Sequence, residues 1–531
     1  MKWYNYIAAT LLTGAVLVGC AKLDTEPTGS TVTSKQKEEV VKANPGMVSA
    51  SVSGITAMFS VYMNTIDGDH TDFGYPCIML ALDSRGADLV SEDIGYNWVG
   101  RGLDLISDRT FNYRQTLETW STLYNQIYAC NQVVGTFDKD EVAQGDDDIA
   151  KFYLAQALAI RAFDYFNLAQ IYQFNYKGNE SLPCVPLILD TNADDVAING
   201  APRASVQEVY DQILADIDLA VSLLEGSAKV REDRRYLDAA TAHGLRARIY
   251  LVMQEWQKAL DDANAAIAAT DATPKALADA SKPTFKDITE EDWMWGIIIA
   301  ETDRVVTSGI VNWPSHMGSL NYGYASVGAW RRVSKKLYAS IPDTDVRKGW
   351  FLDASGKSVN LTAEQQAYVT SEAGCPPYTQ VKFAPYKDEL YTSTNANDIM
   401  LMRVEEMILI KAECEARLGN AEAATTLANF VTTYRDPSFT VDADAQAVLA
   451  ATLLQRRIEL WGEGISYFDL LRLGNGIDRR GAGFEDKFIF KIDGNDPLMI
   501  YQLPKSEIEG NPMLTDADNN ETADSPDPVK E

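Results

Sequence analysis

The chain has 531 residues, of which 46% are apolar and 23% charged, a composition that is typical of folded proteins and excludes wholesale disorder. Asp and Glu outnumber Lys and Arg by 76 to 47, which gives a formal net charge of −29. This charge excludes the nucleic-acid-binding proteins, which need a basic surface, and argues against attachment through anionic lipid headgroups.

Residues 1–19 have the pattern of an export signal peptide. Lys2 supplies a short positive region, and the apolar run 7–18 is shorter than the ~20 residues that a membrane span needs. The run ends in Leu17-Val18-Gly19-Cys20, which resembles a bacterial lipobox. We therefore expect cleavage before Cys20 and acylation of that residue, followed by a polar, lipidated tether over residues 20–44.

Helical periodicity dominates residues 45–270, which we predict to be an N-terminal helical repeat part with ligand-side loops. Amphipathic helices are predicted at 120–137, 152–172 and 206–224, with Ser205 as the N-cap of the third.

Two further segments, 237–269 and 401–431, have alanines at the positions where two antiparallel helices would meet. The first breaks near Gln254 and the second turns at Gly419. Small residues at such contacts are typical of tetratricopeptide repeats. The sequence therefore predicts a mainly α fold on a tetratricopeptide-like scaffold, with residues 398–531 forming a C-terminal repeat pair and a closing segment.

The helical pattern stops between residues 271 and 397, where Gly, Pro, Asn, Ser and Tyr are frequent. We predict a large irregular, loop-rich insertion there. Within it, the apolar run that begins at Trp295 predicts a buried strand. Long structured loops on a helical scaffold are where binding sites usually lie, so this insertion and the loops of residues 45–115 are the expected ligand side.

Motifs for catalysis are weak. Gly356-Lys357-Ser358 lacks the leading glycine of a phosphate loop, because position 351 is Phe, and no G-x-S-x-G elbow occurs. Acidic pairs such as Asp261-Asp262 indicate a glycosidase only if two carboxylates face each other across a cleft, and solvated surface acids are the preferred interpretation. His316 could hydrogen-bond a ligand or be a plain loop histidine, whereas His243 is expected to be structural.

Metal and disulfide motifs are weak as well. The alternation Asp516-x-Asp518-x-Asn520 resembles a calcium loop, but Glu521 stands where glycine is required. No cofactor is expected, although a calcium ion held by scattered loop carbonyls stays open. Buried free thiols are predicted for five widely spaced cysteines: Cys77, Cys130, Cys184, Cys375 and Cys414.

Several longer motifs occur together along the chain. They are Leu23-Asp24-Thr25-Glu26-Pro27, Trp120-x-x-Leu123-Tyr124-x-x-Ile127-x-x-x-Asn131, Arg161-Ala162-x-x-Tyr165-Phe166-x-Leu168, Pro202-Arg203-x-Ser205-x-x-Glu208-Val209-Tyr210, Arg456-Arg457-x-Glu459-Leu460-x-x-Glu463-Gly464-x-x-x-Phe468-Asp469-Leu470-x-Arg472 and Leu503-Pro504-x-x-Glu507-Ile508-x-x-Asn511-Pro512. On these motifs the chain resembles the SusD/RagB family of glycan-binding outer-membrane lipoproteins of Bacteroidetes. It departs at Ser466 and Gln502, where the family often has a basic residue and proline.

The resemblance implies a protein on the outer face of the outer membrane, held there by the lipid at Cys20. Such a protein would cap a SusC-like TonB-dependent transporter, hand oligosaccharides to it by a lid-like movement, and have no catalytic activity.

A sugar ring offers an apolar C–H face that a flat aromatic side chain can cover, while amides, carboxylates and Arg pair with its hydroxyl groups. The chain is rich in such rings, with 25 Tyr and 10 Trp. By resemblance, the loop around Trp98 corresponds to one that contributes a stacking ring, so Trp98 is the first candidate. The full set of expected glycan-binding residues is Asp83, Arg85, Asn97, Trp98, Trp313, Tyr322, Tyr324 and Trp330.

Three other functions stay open: a binder of peptides or another nutrient with the same transporter, a glycosidase, and a purely structural surface protein. The negative charge opposes polyanionic glycans unless a local basic patch exists. The pairs Arg331-Arg332, Lys335-Lys336 and Arg347-Lys348 could form such a patch, although a solvated helix face is the preferred interpretation.

Overall fold

The structure, a computed structural model, describes residues 34–530. The predicted signal peptide, Cys20 and the first part of the tether lie outside the described residues. Up to residue 269 the fold is built from ten α-helices: α1 (Ser34–Ala43), α2 (Ser49–Ala57), α3 (Tyr75–Arg85), α4 (Arg114–Val134), α5 (Lys139–Gln144), α6 (Asp148–Tyr172), α7 (Ala193–Asn199), α8 (Val206–Glu225), α9 (Ala239–Met253) and α10 (Trp256–Ala269).

The remaining helices are α11 (Leu277–Ala280), α12 (Arg304–Thr307), α13 (Trp313–Met317), α14 (Lys335–Ser340), α15 (Ala363–Ala367), α16 (Val404–Leu418), α17 (Ala423–Tyr434), α18 (Ala445–Glu459), α19 (Ser466–Arg472) and α20 (Lys505–Gly510). Those in the insertion are short, and three longer helices, α16, α17 and α18, follow it. The strands are β1 (Leu89–Val90), β2 (Trp293–Ile297), β3 (Arg332–Val333), β4 (Ile399–Arg403), β5 (Ile477–Asp478) and β6 (Lys491–Ile492).

Helix α6 forms the centre of the N-terminal part. Nearly all of its residues are buried, and it packs against both α4 and α8. A helix that is buried on every side is enclosed by its neighbours. Helix α8 begins with a capping box in which Ser205 and Glu208 satisfy each other's backbone N–H groups, which confirms the predicted N-cap.

The two predicted repeat pairs are present. Helix α9 is capped by Gln254 and packs against α10, and α16 is capped by Gly419 before α17 begins. Both Gln254 and Gly419 have a left-handed backbone, which reverses the chain and ends the helix. Because α10 also packs against α16, the pairs stack as repeats do. Leu401, expected in the second pair's first helix, lies in β4 instead, where strand pairing with β2 sets its conformation.

The insertion is fastened to the helical scaffold at two strand pairs. Strand β2 runs antiparallel to β4 directly before α16, and Trp295 on β2 is fully buried, as predicted. Strand β1 runs antiparallel to β3, with Leu89 opposite Val333. The second pairing brings the chain after β1 close to the insertion, where the candidate site is found.

The interior of the C-terminal half contains a cluster of buried charges around Glu459. Its carboxylate pairs with Arg347 at 3.1 Å, Arg403 at 3.1 Å and Arg435 at 2.8 Å, and all four side chains are fully buried. Arg331 is buried as well. The basic patch and the solvated face considered from the sequence are therefore both wrong for Arg331 and Arg347, because these side chains lie in the interior.

The cysteine prediction is confirmed for the five cysteines of the described chain, which are all free and buried. Between residues 34 and 530, no helix combines the length and the apolar character needed to cross a membrane.

Candidate functional site

Aromatic side chains from three loops meet beside strand pair β1–β3. The imidazole of His70 stacks on the indole of Trp98 with ring centres 4.6 Å apart and an interplanar angle of 24°. The phenol of Tyr324 lies 5.9 Å from the His70 ring and stacks on Tyr96 at 6.5 Å. We call His70, Tyr96, Trp98 and Tyr324 the Trp98 cluster.

A second pair of rings follows directly along the chain. Tyr322 and Tyr391 contact edge to face at 5.4 Å, and we call them the Tyr391 pair. Backbone hydrogen bonds from Tyr322 N to the Thr392 carbonyl (2.8 Å) and from Tyr391 N to the Leu320 carbonyl (3.0 Å) hold the two loops together. Tyr322 and Tyr324 are two residues apart in the chain, which places the Tyr391 pair beside the Trp98 cluster. We call the two together the aromatic surface.

Exposure separates the members of this surface. Tyr96 and Tyr391 are each 59% exposed and Tyr322 is 38% exposed, whereas Tyr324 is 6% exposed. Trp98 is partly buried, because His70 covers one face of its indole, and the Arg101 guanidinium also lies 5.2 Å from the ring. The most accessible stacking faces therefore belong to Tyr96 and Tyr391.

Four of the expected residues have structural roles. Arg85 is fully buried, pairs with Asp108 and donates to the Tyr467 hydroxyl at 3.2 Å. Asp83 accepts a hydrogen bond from Gly464 N at 2.9 Å, and burial raises its pKa to about 7. These two side chains and the buried Trp313 and Asn97 do not reach the surface, so a ligand on the aromatic surface cannot contact them.

Asn97 nevertheless shapes the site, because its amide holds the loop that carries Tyr96 and Trp98. It donates to the Ser91 hydroxyl at 3.1 Å and to the Glu92 carbonyl at 2.8 Å, and it accepts from Arg331 at 2.7 Å. Trp330 is partly buried against an apolar cluster that includes Leu320 and Leu352.

His316 is a buried residue of α13 rather than an exposed loop histidine. Its ring stacks on Phe73 at 5.1 Å, and its Nε2–H donates to the His70 carbonyl at 3.0 Å. Burial holds the pKa of His316 well below its usual value. A ligand cannot reach this side chain, which supports the Trp98 cluster from below.

A buried acid next to the Trp98 cluster, Asp69, is paired with two arginines. The buried Asp69 carboxylate binds Arg101 at 3.0 Å and Arg114 at 2.6 Å. Burial opposes ionisation of Asp69, but the hydrogen bonds from Arg114 and Arg101 lower its pKa to about 2. In the described chain, no three His, Cys, Asp or Glu side chains are placed to hold a metal ion together.

Sequence reasoning missed His70, Tyr96 and Tyr391. Tyr96 carries a usable signal, because it stands two residues before Trp98 in the same loop. Tyr391 has a backbone φ of +61°, which is unusual for a bulky residue and marks a constrained position. Nothing in the local sequence around His70 indicates that it contacts Tyr324, which is 254 positions away in the chain.

Fold and surface together define a class: a helical-repeat protein whose loops form an open aromatic surface. Two family models match the chain, one described as "Starch-binding associating with outer membrane" over residues 96–251 and the other as "SusD family" over residues 332–521. SusD-like protein P38 of Formosa agariphila is 22% identical over 394 residues, which cover 68% of this chain and 73% of that protein.

Solved structures show the same fold. A SusD-like carbohydrate binding protein from Bacteroides vulgatus superposes with a TM-score of 0.72 and 22% identity, covering 90% of this chain and 98% of that one. A laminarin binding SusD-like protein superposes with a TM-score of 0.61 and 18% identity, covering 90% of this chain and 99% of that one. The chain belongs to the SusD/RagB family.

Proposed function

We propose that this protein is a cell-surface lipoprotein that captures oligo- or polysaccharide and delivers it to a SusC-like TonB-dependent transporter in the outer membrane. The observation that carries the proposal is the open aromatic surface formed by Tyr96, Trp98, Tyr322 and Tyr391 on converging loops.

Stacking explains how such a surface would hold a glycan. Tyr96 and Tyr391 present accessible rings, each with only two side-chain torsions to immobilise, so covering the C–H face of a sugar costs little conformational entropy. Tyr hydroxyls and the Arg101 guanidinium at the edge of the surface can pair with sugar hydroxyl groups. Two aromatic groups in succession suit an extended chain of sugars better than a single residue.

Family membership supports the other parts of the proposal. One matching family model is described as starch-binding and associated with the outer membrane, and one structural relative is described as laminarin binding. Acylation at Cys20 would supply the anchor, and the paired state of Asp69, an acid next to the Trp98 cluster, supports binding without catalysis.

A glycan-binding screen with the protein lacking residues 1–20 tests the proposal. Tyr96→Ala, Trp98→Ala and Tyr391→Ala should each weaken binding roughly tenfold, since a lost stacking contact costs on the order of 1.4 kcal/mol. Tyr128→Ala is the matched control, because Tyr128 is 60% exposed on α4, outside the aromatic surface.

Binding by the control at wild-type strength, together with loss in the three variants, would support the surface as the glycan site. If the folded wild type binds peptides and no glycan, the peptide-binding alternative replaces the proposal. If a glycan binds equally to all four variants, the capture function stands and the site is elsewhere.

A further inference from the structure

His70 lies where three distant segments of the chain meet. The chain has three histidines, and two of them, His70 and His316, come together at the aromatic surface. His316 supports the His70 backbone, Trp98 stacks on the His70 ring, and Tyr324 hydrogen-bonds its Nδ1. The imidazole is therefore held in one orientation by partners on both its backbone and its ring.

The hydrogen bond with Tyr324 decides which imidazole nitrogen carries the proton. Nδ1 of His70 is the one hydrogen-bond partner of the Tyr324 hydroxyl among the described residues, so the hydroxyl proton has no other acceptor there. The hydroxyl is then free to donate its own proton to Nδ1 of His70. In the neutral imidazole this leaves the proton on Nε2.

The Nε2 atom has no hydrogen-bond partner among the described residues. It is not one of the buried atoms that lack a partner, so it is accessible to solvent. An oriented N–H donor thus faces solvent next to the indole of Trp98. Sugars carry hydroxyl, ring and glycosidic oxygens that accept hydrogen bonds, and they do so beside the C–H face that stacks on aromatic rings.

We propose that His70 is a ligand-contacting specificity residue that donates its Nε2–H to an oxygen of the bound glycan. The inference rests on the proposed function of this surface and adds to it a polar contact. The charged imidazolium also carries an Nε2–H, but it can no longer accept the Tyr324 hydroxyl proton at Nδ1, so the neutral imidazole is the binding form.

The surroundings of His70 set the direction of the pH dependence. Burial lowers its pKa from 6.5, Asp69 opposes this shift and Arg101 adds to it, while Trp98, Tyr324 and the neutral His316 complete the surroundings. A glycan over the ring would remove more water and disfavour the charged form further. Affinity should therefore be constant above about pH 7 and should fall as the pH drops below the pKa of free His70, by at most about tenfold per pH unit.

Two variants separate the Nε2 contact from a purely structural role. In His70→Gln the side-chain amide can reach the position of Nε2 and still donate there, whereas in His70→Asn the amide reaches only the position of Nδ1. Both lose the stack on Trp98 to a similar extent. We expect His70→Asn to bind about three- to tenfold more weakly than His70→Gln, and both to lose the pH dependence of the wild type.

The measurement is the affinity for laminarin and for soluble starch between about pH 7.5 and about pH 5, using the protein lacking residues 1–20. His243→Gln is the control and should keep the wild-type profile, since His243 is bonded to Asp262 and Glu225 in the repeat scaffold. Thermal unfolding of each variant checks that the fold is retained.

If His70→Asn binds as well as or better than His70→Gln, the side chain acts through Tyr324 and the inference is wrong. If both variants keep the wild-type pH profile, the inference is also wrong, although the glycan site stands. If the wild type binds neither laminarin, soluble starch nor any other glycan of the screen, the proposed function itself fails, which is a different outcome.

Discussion

Burial decides the protonation state of His316, which lies beneath the aromatic surface. His316 is fully buried, with its Nε2–H bonded to the His70 carbonyl, and burial keeps its pKa well below 6.5. The unfolded chain would bind a proton near pH 6.5, where the folded chain does not. The stabilisation from neutral His316 is therefore present above about pH 6.5 and is lost as the pH falls below it.

His316→Gln tests this linkage. We expect the wild type to lose stability between about pH 6.5 and pH 5, by at most about 1.4 kcal/mol per pH unit from this group, and the variant to lose less. Urea unfolding at several pH values measures the free energy of unfolding and so this loss.

His243→Gln should change the pH dependence of stability in the opposite direction. The hydrogen bond with Asp262 raises the pKa of His243, so the stabilisation from His243 is lost as the pH rises. Parallel curves for wild type and His316→Gln would contradict the prediction.

Hydrogen bonds between neighbouring residues set where a single helix of the scaffold begins, and the first turn of α8 is an example. The Ser205 hydroxyl accepts from Glu208 N at 3.2 Å, and the Glu208 carboxylate accepts from Ser205 N at 2.8 Å. Both groups satisfy backbone N–H groups that have no partner within the helix. The same four-residue pattern is visible in the sequence, so this helix start could be predicted.

Ser205→Ala should lower the free energy of unfolding by about 1 kcal/mol, since the cap is lost and the N–H of Glu208 is left without its partner. Ser222→Ala is the matched control, because Ser222 is exposed within the same helix, where alanine is the better helix former. Chemical denaturation of both variants measures the difference. Equal stabilities for the two variants would show that the capping box does not stabilise α8.

At the scale of the whole molecule, the charge cluster around Glu459 joins parts of the chain that are far apart in sequence. Arg347 comes from the insertion, Arg403 from the end of β4 and Arg435 from the chain after α17. Burial opposes ionisation of Glu459, but Arg435, Arg403 and Arg347 hold its pKa well below the usual range. The cluster therefore fastens the insertion to the C-terminal repeat pair.

Glu459→Gln should destabilise the protein by about 3–5 kcal/mol, because three buried arginines lose a common counter-charge. The expected result in thermal unfolding is a large fall in Tm, with early exposure of the insertion to proteolysis. Glu372→Gln serves as the control, since Glu372 is exposed within the insertion. A Tm for Glu459→Gln equal to that of the control would show that the cluster is not needed to hold the insertion.

Much of the scaffold could be predicted because its signals are local. Apolar spacing indicates α4 and α8, a mostly apolar stretch indicates α6, and the reversals at Gln254 and Gly419 separate the repeat helices. The strand pair β1–β3 could not be predicted, because its two-residue strands are about 240 positions apart in sequence and carry no local pattern. That pairing brings the loop of Trp98 to the insertion, so the site depends on it.

The amino-acid sequence by itself determined the mainly α repeat scaffold, its irregular insertion and the family resemblance, because helix periodicity, caps and motifs act over a few residues. The tertiary structure decided which aromatic rings are exposed. Trp313 and Tyr391 both stand among turn-forming residues, yet the first is buried and packs against Phe383, whereas the second is exposed. Burial is a sum over contacts from distant segments, and that sum exists only once the chain has folded.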